Sequence, residues 1–253
     1  MMVMGVISDI HSNWEALEVV FGFLKEKGVK EILCCGDVVG YGPDPERCIE
    51  LLERERIKTV AGNHDWGVTG KTSVRGFNPV ASAAVRWTQP RLNSGQLAFL
   101  NNLPLWFDIS ESSYAGCKVV HAGPAQPKEW GYVFTLEDAK QEFGAFTQEI
   151  CLIGHTHIPF IIEQTNQGMI LVPGIKVLSS VPFPLKRDAR YLINVGSVGQ
   201  PRDGDPRACC VLIDLEERWV SFHRLSYDFT VTQRKMRAYG LPELLAQRLA
   251  LGQ

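Results

Sequence analysis

Along the first third of the chain, short apolar runs alternate with segments whose apolar residues recur at helical spacing. Residues 3–7, 31–35 and 58–61 read as strands, and residues 14–25 and 45–53 as helices. Strand–helix–strand alternation with short connections predicts a parallel sheet with right-handed crossovers. Ligands of such sheets bind at the carboxyl ends of the strands. Beyond position 66 the pattern changes. A polar, glycine-containing stretch over 67–78 precedes helical spacing at 79–87 and 96–100, so 66–104 reads as a helical excursion beside a site and a candidate lid. The second half carries strand signals at 118–121, 150–153, 159–163, 169–172, 191–195, 209–214 and 219–224. The proline-bearing stretch 173–190 reads as a surface loop, and 241–251 as a closing helix. The expectation is one α/β domain over residues 1–253, long enough to bury a sizeable core.

Composition narrows the classes of function. The net charge is −2 with mixed signs and no basic block, which argues against a stable nucleic-acid complex. No apolar run approaches the roughly 20 residues of a membrane span. The N-terminal MMVMGVISDIH lacks the basic and long apolar regions of a signal peptide. Seven cysteines sit in apolar contexts and none in CxxC spacing. The adjacent pairs Cys34–Cys35 and Cys209–Cys210 fall in strand-like runs, where neighbours face opposite ways, so free thiols in a reducing cytoplasm are expected.

Five polar blocks interrupt this pattern: Asp9-x-His11, Gly36-Asp37, Gly62-Asn63-His64-Asp65, His121-Ala-Gly and Gly154-His155-Thr156-His157. Of six histidines, five lie in these blocks. Each block follows a strand-like run and sits beside small residues that permit a tight turn. Imidazole, carboxylate and amide oxygen suit borderline-hard divalent metals. Taken singly, the blocks have blander readings. Asp9 or Asp37 suits a helix cap, His121 a satisfied buried histidine, and His155 with His157 one polar face of a strand. The remaining histidine, His223, reads as a sheet-face residue, and Trp14, Trp66 and Trp130 as packing residues, with Trp66 also a candidate pocket floor.

In combination and order, the five blocks resemble the calcineurin-like metallophosphoesterase superfamily, whose sequence of motifs is D-x-H, G-D, G-N-H-D/E, H and G-H-x-H. The segments GDVVGYGP and NVGSVGQPRDGDPRACCVLID are similar to its small bacterial phosphodiesterase-like branch. The resemblance implies a β-sandwich of mixed sheets flanked by helices. It also implies two divalent ions (Mn, Fe, Ni, Zn or Co), with Asp9, His11 and His157 at the first, Asn63, His121 and His155 at the second, and Asp37 bridging. A hydroxide between the ions would attack a phosphodiester or nucleotide in line. His64 would donate a proton or stabilise charge, with Asp65 as its orienting partner.

The second block departs from the protein phosphatases of the superfamily, which carry G-D-x-x-D-R-G. Gly36 to Gly42 here lack the second Asp and the Arg that clamps a phosphomonoester dianion, so a singly charged diester is favoured. A phosphomonoesterase, a protein phosphatase or a dinucleoside polyphosphate hydrolase on the same site is the enzymatic alternative. A non-catalytic metal-binding regulatory module is the alternative of a different class. Arg202 and Arg207, in QPRDGDPR, are candidates to hold substrate phosphate or to pair with Asp203 and Asp205. The expected partner is a small phosphoester or nucleotide, and the apolar content of the excursion leaves a homo-oligomer open.

Overall fold

The computed structural model describes residues 3–109, 116–174 and 180–253. Twelve strands and eight α-helices follow the chain as β1 (Val3–Ile7), α1 (Trp14–Glu26), β2 (Glu31–Cys34), α2 (Pro45–Arg54), β3 (Lys58–Thr59), α3 (Asn63–Thr69), α4 (Pro79–Thr88), α5 (Ser94–Asn102), β4 (Trp106–Ile109), β5 (Cys117–Val120), α6 (Leu136–Phe143), β6 (Ile150–Ile153), β7 (Phe160–Thr165), β8 (Gly168–Leu171), β9 (Phe183–Pro184), β10 (Arg190–Asn194), β11 (Ala208–Asp214), β12 (Trp219–Leu225), α7 (Phe229–Ala238) and α8 (Glu243–Leu251).

The strands form two six-stranded mixed sheets, ordered β3-β2-β1-β11-β12-β9 and β4-β5-β6-β10-β7-β8. Each has a run of three parallel strands, β3-β2-β1 at one edge of the first sheet with antiparallel strands beyond β1, and β5-β6-β10 at the centre of the second with antiparallel strands on both sides. The inner faces pack on each other through Met4, Val6, Leu33, Val119, Leu152, Ile193 and Val211. Apolar residues of α1 and α2 (Leu17, Val20, Ile49, Leu52) cover the outer face of the first sheet. Ala139 and Phe143 of α6 cover the outer face of the second. The mixed α/β sandwich implied by the motifs is therefore the observed fold. Cys35 and Cys209 face the inter-sheet core while Cys34 and Cys210 face the helices, as period-two geometry requires. All seven cysteines are free. Among the described residues no helix is long and apolar enough to cross a membrane.

Several elements depart from the sequence reading, among them the strand β4 and the helix α6, which it does not predict. The helix α3 begins within the third polar block, shortening the expected loop over 67–78 to the stretch after Thr69. Part of the expected loop over 173–190 lies outside the described residues, and its later portion contributes β9 at the sheet edge. The helix α7 is additional. It packs on α1, where the Lys235 ammonium bridges Glu15 (2.5 Å) and Asp44 (2.8 Å).

Candidate metal centre

The parallel strands deliver their C-terminal loops to one end of the sandwich. Asp9 and His11 follow β1, Asp37 follows β2, Asn63 and His64 follow β3, His121 follows β5, and His155 and His157 follow β6. Every one of these side chains is buried. Helix capping accounts for neither aspartate: Asn13 caps α1, accepting from the Ala16 N–H at 3.2 Å, and Asp44 occupies that position in α2. His155 and His157 lie beyond the end of β6 rather than on it, and both have left-handed φ, 67° and 60°. Asp9, His11 and Asp37 share that conformation, with φ of 51°, 48° and 53°. L-residues adopt it at a cost that the surrounding structure must offset, and such residues gather at functional sites. The tight turns send the two histidines of the last block to different clusters, His157 to Asp9 and His11 and His155 to Asp37 and His121.

The side chains form three clusters whose donor atoms lie within 4.8 Å of one another: Asp9 with His11 and His157, Asp37 with His121 and His155, and His11 with Asp37 and His64. Asp37 belongs to two of them. His11 Nε2 stands 3.1 Å from His157 Nε2, and His121 Nε2 stands 3.1 Å from His155 Nδ1. The other ring nitrogens face backbone carbonyls: His11 Nδ1 to Val39 (3.1 Å), His157 Nδ1 to Gln200 (2.5 Å), His121 Nδ1 to Cys35 (2.7 Å) and His155 Nε2 to Trp130 (2.9 Å). A carbonyl accepts only an N–H, so the neutral form of each ring is the tautomer that turns a lone pair inward. Asp9 Oδ2 accepts from Ser8 Oγ (2.6 Å) and the His155 N–H (3.0 Å), and Asp37 Oδ1 from the His64 N–H (2.8 Å). Asp9 Oδ1 and Asn63 Oδ1 are buried without a hydrogen-bond partner among the described residues. Unsatisfied buried acceptors beside inward lone pairs fit cations.

Gly62 makes room for this arrangement, because a Cβ there would stand 2.0 Å from Asp37 Oδ1. Burial works against ionised Asp37, but the neighbouring imidazoles of His121 and His64 outweigh it and hold the carboxyl well below its usual range. Burial pushes His64 down to about 4, against the pull of Asp37, so its ring is neutral at pH 7. Burial also pushes His155 down to about 3, helped by His121. His121 runs the other way: burial lowers it, yet Asp37 dominates and raises it to about 9.

Asp65 does not face His64. Its carboxylate accepts the N–H of Val39 (3.1 Å) and of Gly62 (3.0 Å), closing the capping box of α3 and clasping the loop after Asp37. With both oxygens engaged by the backbone, it positions two loops instead of orienting an imidazole, and His64 Nδ1 has no partner among the described residues. The arginines part company. Arg202 lines the cleft beside His64 and His157, with Nη2 on Gln200 Oε1 at 2.9 Å. Arg207 is turned outward in a two-pronged pair with Asp205, whose shortest contact is 2.6 Å, and Asp203 engages Arg224. His223 lies on β12 against Ser221 Oγ and belongs to none of the three clusters.

The cleft above the cluster has a volume of about 560 Å³. Asn63, His64 and Asp37 lie at its base, and Thr72, Ser73, Phe77, Asn78 and Ala81 of the excursion form one wall. Trp130 and Tyr132 form another, so Trp130 is a cleft residue and not simple packing. Trp66 is buried behind Trp130, with ring centroids 5.8 Å apart, and does not reach the floor. Tyr41, wedged between His11 and His64 with centroids 4.5 and 4.4 Å away, is a further cleft residue. Its signal in the sequence is the flanking pair Gly40 and Gly42.

Known proteins resemble this chain in sequence and in fold. The family model described as the calcineurin-like phosphoesterase superfamily domain matches residues 2–218. The chain is 40% identical over 253 residues to the uncharacterized protein MJ0912 of Methanocaldococcus jannaschii, an alignment covering 99% of this chain and 98% of that one. A metallophosphoesterase from Sphaerobacter thermophilus superposes with a TM-score of 0.82 at 39% identity, covering 100% of this chain and 99% of that one. The hypothetical protein PH1004 from Pyrococcus horikoshii OT3 shares the fold, with a TM-score of 0.80 at 18% identity and coverage of 100% and 99%. With a family model spanning most of its length and full-length relatives near two-fifths identity, this chain belongs to the calcineurin-like phosphoesterase superfamily.

Proposed function

We propose that the chain is a hydrolase of phosphoesters, diesters ahead of monoesters, that works with two divalent ions. One ion is held by Asp9, His11 and His157, the other by Asn63, His121 and His155, with Asp37 shared. The observation that carries this reading is the approach of His11 Nε2 to His157 Nε2 at 3.1 Å, with both Nδ1 atoms committed to carbonyls. Two lone pairs at that distance repel, and a cation between them turns repulsion into binding. Divalent ions at such a site supply Lewis-acid stabilisation of phosphoryl charge and make water nucleophilic at neutral pH.

The chain's own residues account for the rest. His64, neutral and at the cleft base, offers a ring N–H to a phosphoryl or leaving oxygen. Arg202 offers one guanidinium, a match for the single charge of a diester. Asp65 holds the loops that bear Asp37 and His64 in register. Burial of the whole cluster keeps bulk water from screening these interactions.

The test strips the protein with chelator and assays bis-p-nitrophenyl phosphate and p-nitrophenyl phosphate with Mn, Fe, Co, Ni, Zn or Mg restored. Metal-dependent turnover with the diester ahead, abolished in Asp37→Ala, supports the reading. A folded protein that binds two ions and turns over nothing would make it a metal-binding module instead.

A further inference from the structure

Two large aromatic side chains stand open to solvent, Tyr132 on the cleft lining at 51% and Phe134 next to it at 55% exposure. Their rings stack, 5.3 Å between centroids with planes 14° apart. Tyr132 stacks in turn on His155, at 4.2 Å and 17°. The result is a ladder of parallel rings that starts on a residue of the metal centre and leads outward. The fold does not need these rings for its core, because Val133 between them is the residue that packs inside, with Phe143 and Phe146.

The segment is nonetheless held firmly. The His155 Nε2–H donates to the Trp130 carbonyl at 2.9 Å, and Trp130 Nε1–H donates to Thr72 Oγ1 at 3.2 Å. The Asp138 carboxylate accepts the N–H groups of Phe134 (3.0 Å) and Thr135 (2.9 Å). Rings fixed in advance lose little freedom when another ring joins them. Exposed aromatic side chains are the usual platforms for nucleobases, whose π-faces stack with any sequence. Ser73, Asn78 and Glu129 line the cleft that Tyr132 borders.

We propose that Phe134, backed by Tyr132, is the subsite for a planar aromatic group carried by the phosphoester, so that the substrate class is nucleoside phosphoesters with the base on the outer face of Phe134. The proposal rests on the phosphoesterase reading for the phosphate end alone. Calorimetry on the full chain loaded with Mn²⁺ compares AMP with ribose 5-phosphate, which differ by the base. AMP is expected to bind about tenfold more tightly. Tyr132→Ala and Phe134→Ala should each shrink that ratio, and Tyr132→Phe should keep it. A ratio near one, no binding of either probe, or a ratio indifferent to both alanine variants overturns the proposal. Turnover of phosphoesters with a ratio of one would sink the ladder and leave the hydrolase reading standing. A ratio that depends on Tyr132 in a protein with no turnover would do the reverse.

Discussion

Gly154 lies against Asp9 so closely that a Cβ on the glycine would stand 2.5 Å from Asp9 Oδ2. The same Cβ would stand 2.0 Å from Ser8 Oγ, the hydroxyl that donates to that oxygen. The two loops therefore meet through a position that admits no side chain, and the His155 N–H completes the join by donating to Asp9 at 3.0 Å. Gly154→Ala should force the β1 and β6 loops apart, at a cost of about 1–3 kcal/mol of stability. It should also lower the metal content, because Asp9 and His157 no longer converge. Urea denaturation with elemental analysis of the purified variant checks both.

His64 is the one histidine of the cluster whose ring stands free of a backbone carbonyl tether among the described residues. That sets it apart from the other four rings, each of which a carbonyl holds in place. His64→Gln is expected to keep the metal content of the wild type while kcat falls by about 10²–10⁴. Steady-state kinetics on protein of measured stoichiometry tests this, and loss of metal in the variant would instead place His64 among the ligands.

The metal-free protein should carry a proton on His121 at pH 7. Burial lowers this pKa, but the carboxylate of Asp37, 3.3 Å from Nε2, outweighs it and raises it to about 9. The folded value lies above the unfolded one, near 6.5. This contribution to stability is therefore complete below about pH 6.5 and fades as pH climbs through about 9. Metal entry needs the neutral ring and must expel the proton. Apparent affinity should accordingly rise between pH 7 and 9, with proton release on binding. Calorimetry in buffers of different ionisation enthalpy measures it, and His121→Ala should remove the released proton.

The sequence is most legible where periodicity and chemistry coincide. Apolar runs mark β1, β2, β6 and β11 because their residues are buried on both faces of a packed sheet. The polar blocks stand out because they interrupt those runs at their ends. What the pattern does not reveal has equally local causes. The helix α7, FTVTQRKMRA, buries only Thr232 and Met236, and α6 only Ala139 and Phe143, so neither shows a full apolar stripe. The strand β4 is an edge with Trp106 and Asp108 exposed. Asp65 appears as a partner for the adjacent His64 in sequence, yet its carboxylate serves backbone groups that only the folded loops bring near. Trp130 and Tyr132 have no motif around them, and what makes them cleft residues is the Trp130 carbonyl beneath His155.

An apolar cluster joins the cleft to the C-terminal helices beyond residue 218, where the family match ends. Met236 of α7 and Leu245 and Leu249 of α8 form one apolar cluster with Tyr41 and with Ala81 and Ala84 of α4. Tyr41 is in contact with both His11 and His64, and Ala81 is on the cleft wall, so this cluster braces two sides of the site from behind. Met236 is 1% exposed, and Met236→Ala should cost about 2–5 kcal/mol through lost contacts and a cavity. Because that cavity lies behind Tyr41 and α4, kcat/KM should fall at temperatures where the variant remains fully folded, while metal content holds. Thermal unfolding paired with kinetics well below the transition separates the two effects. A lowered Tm with unchanged kcat/KM would show that the helices stabilise the fold without shaping the cleft.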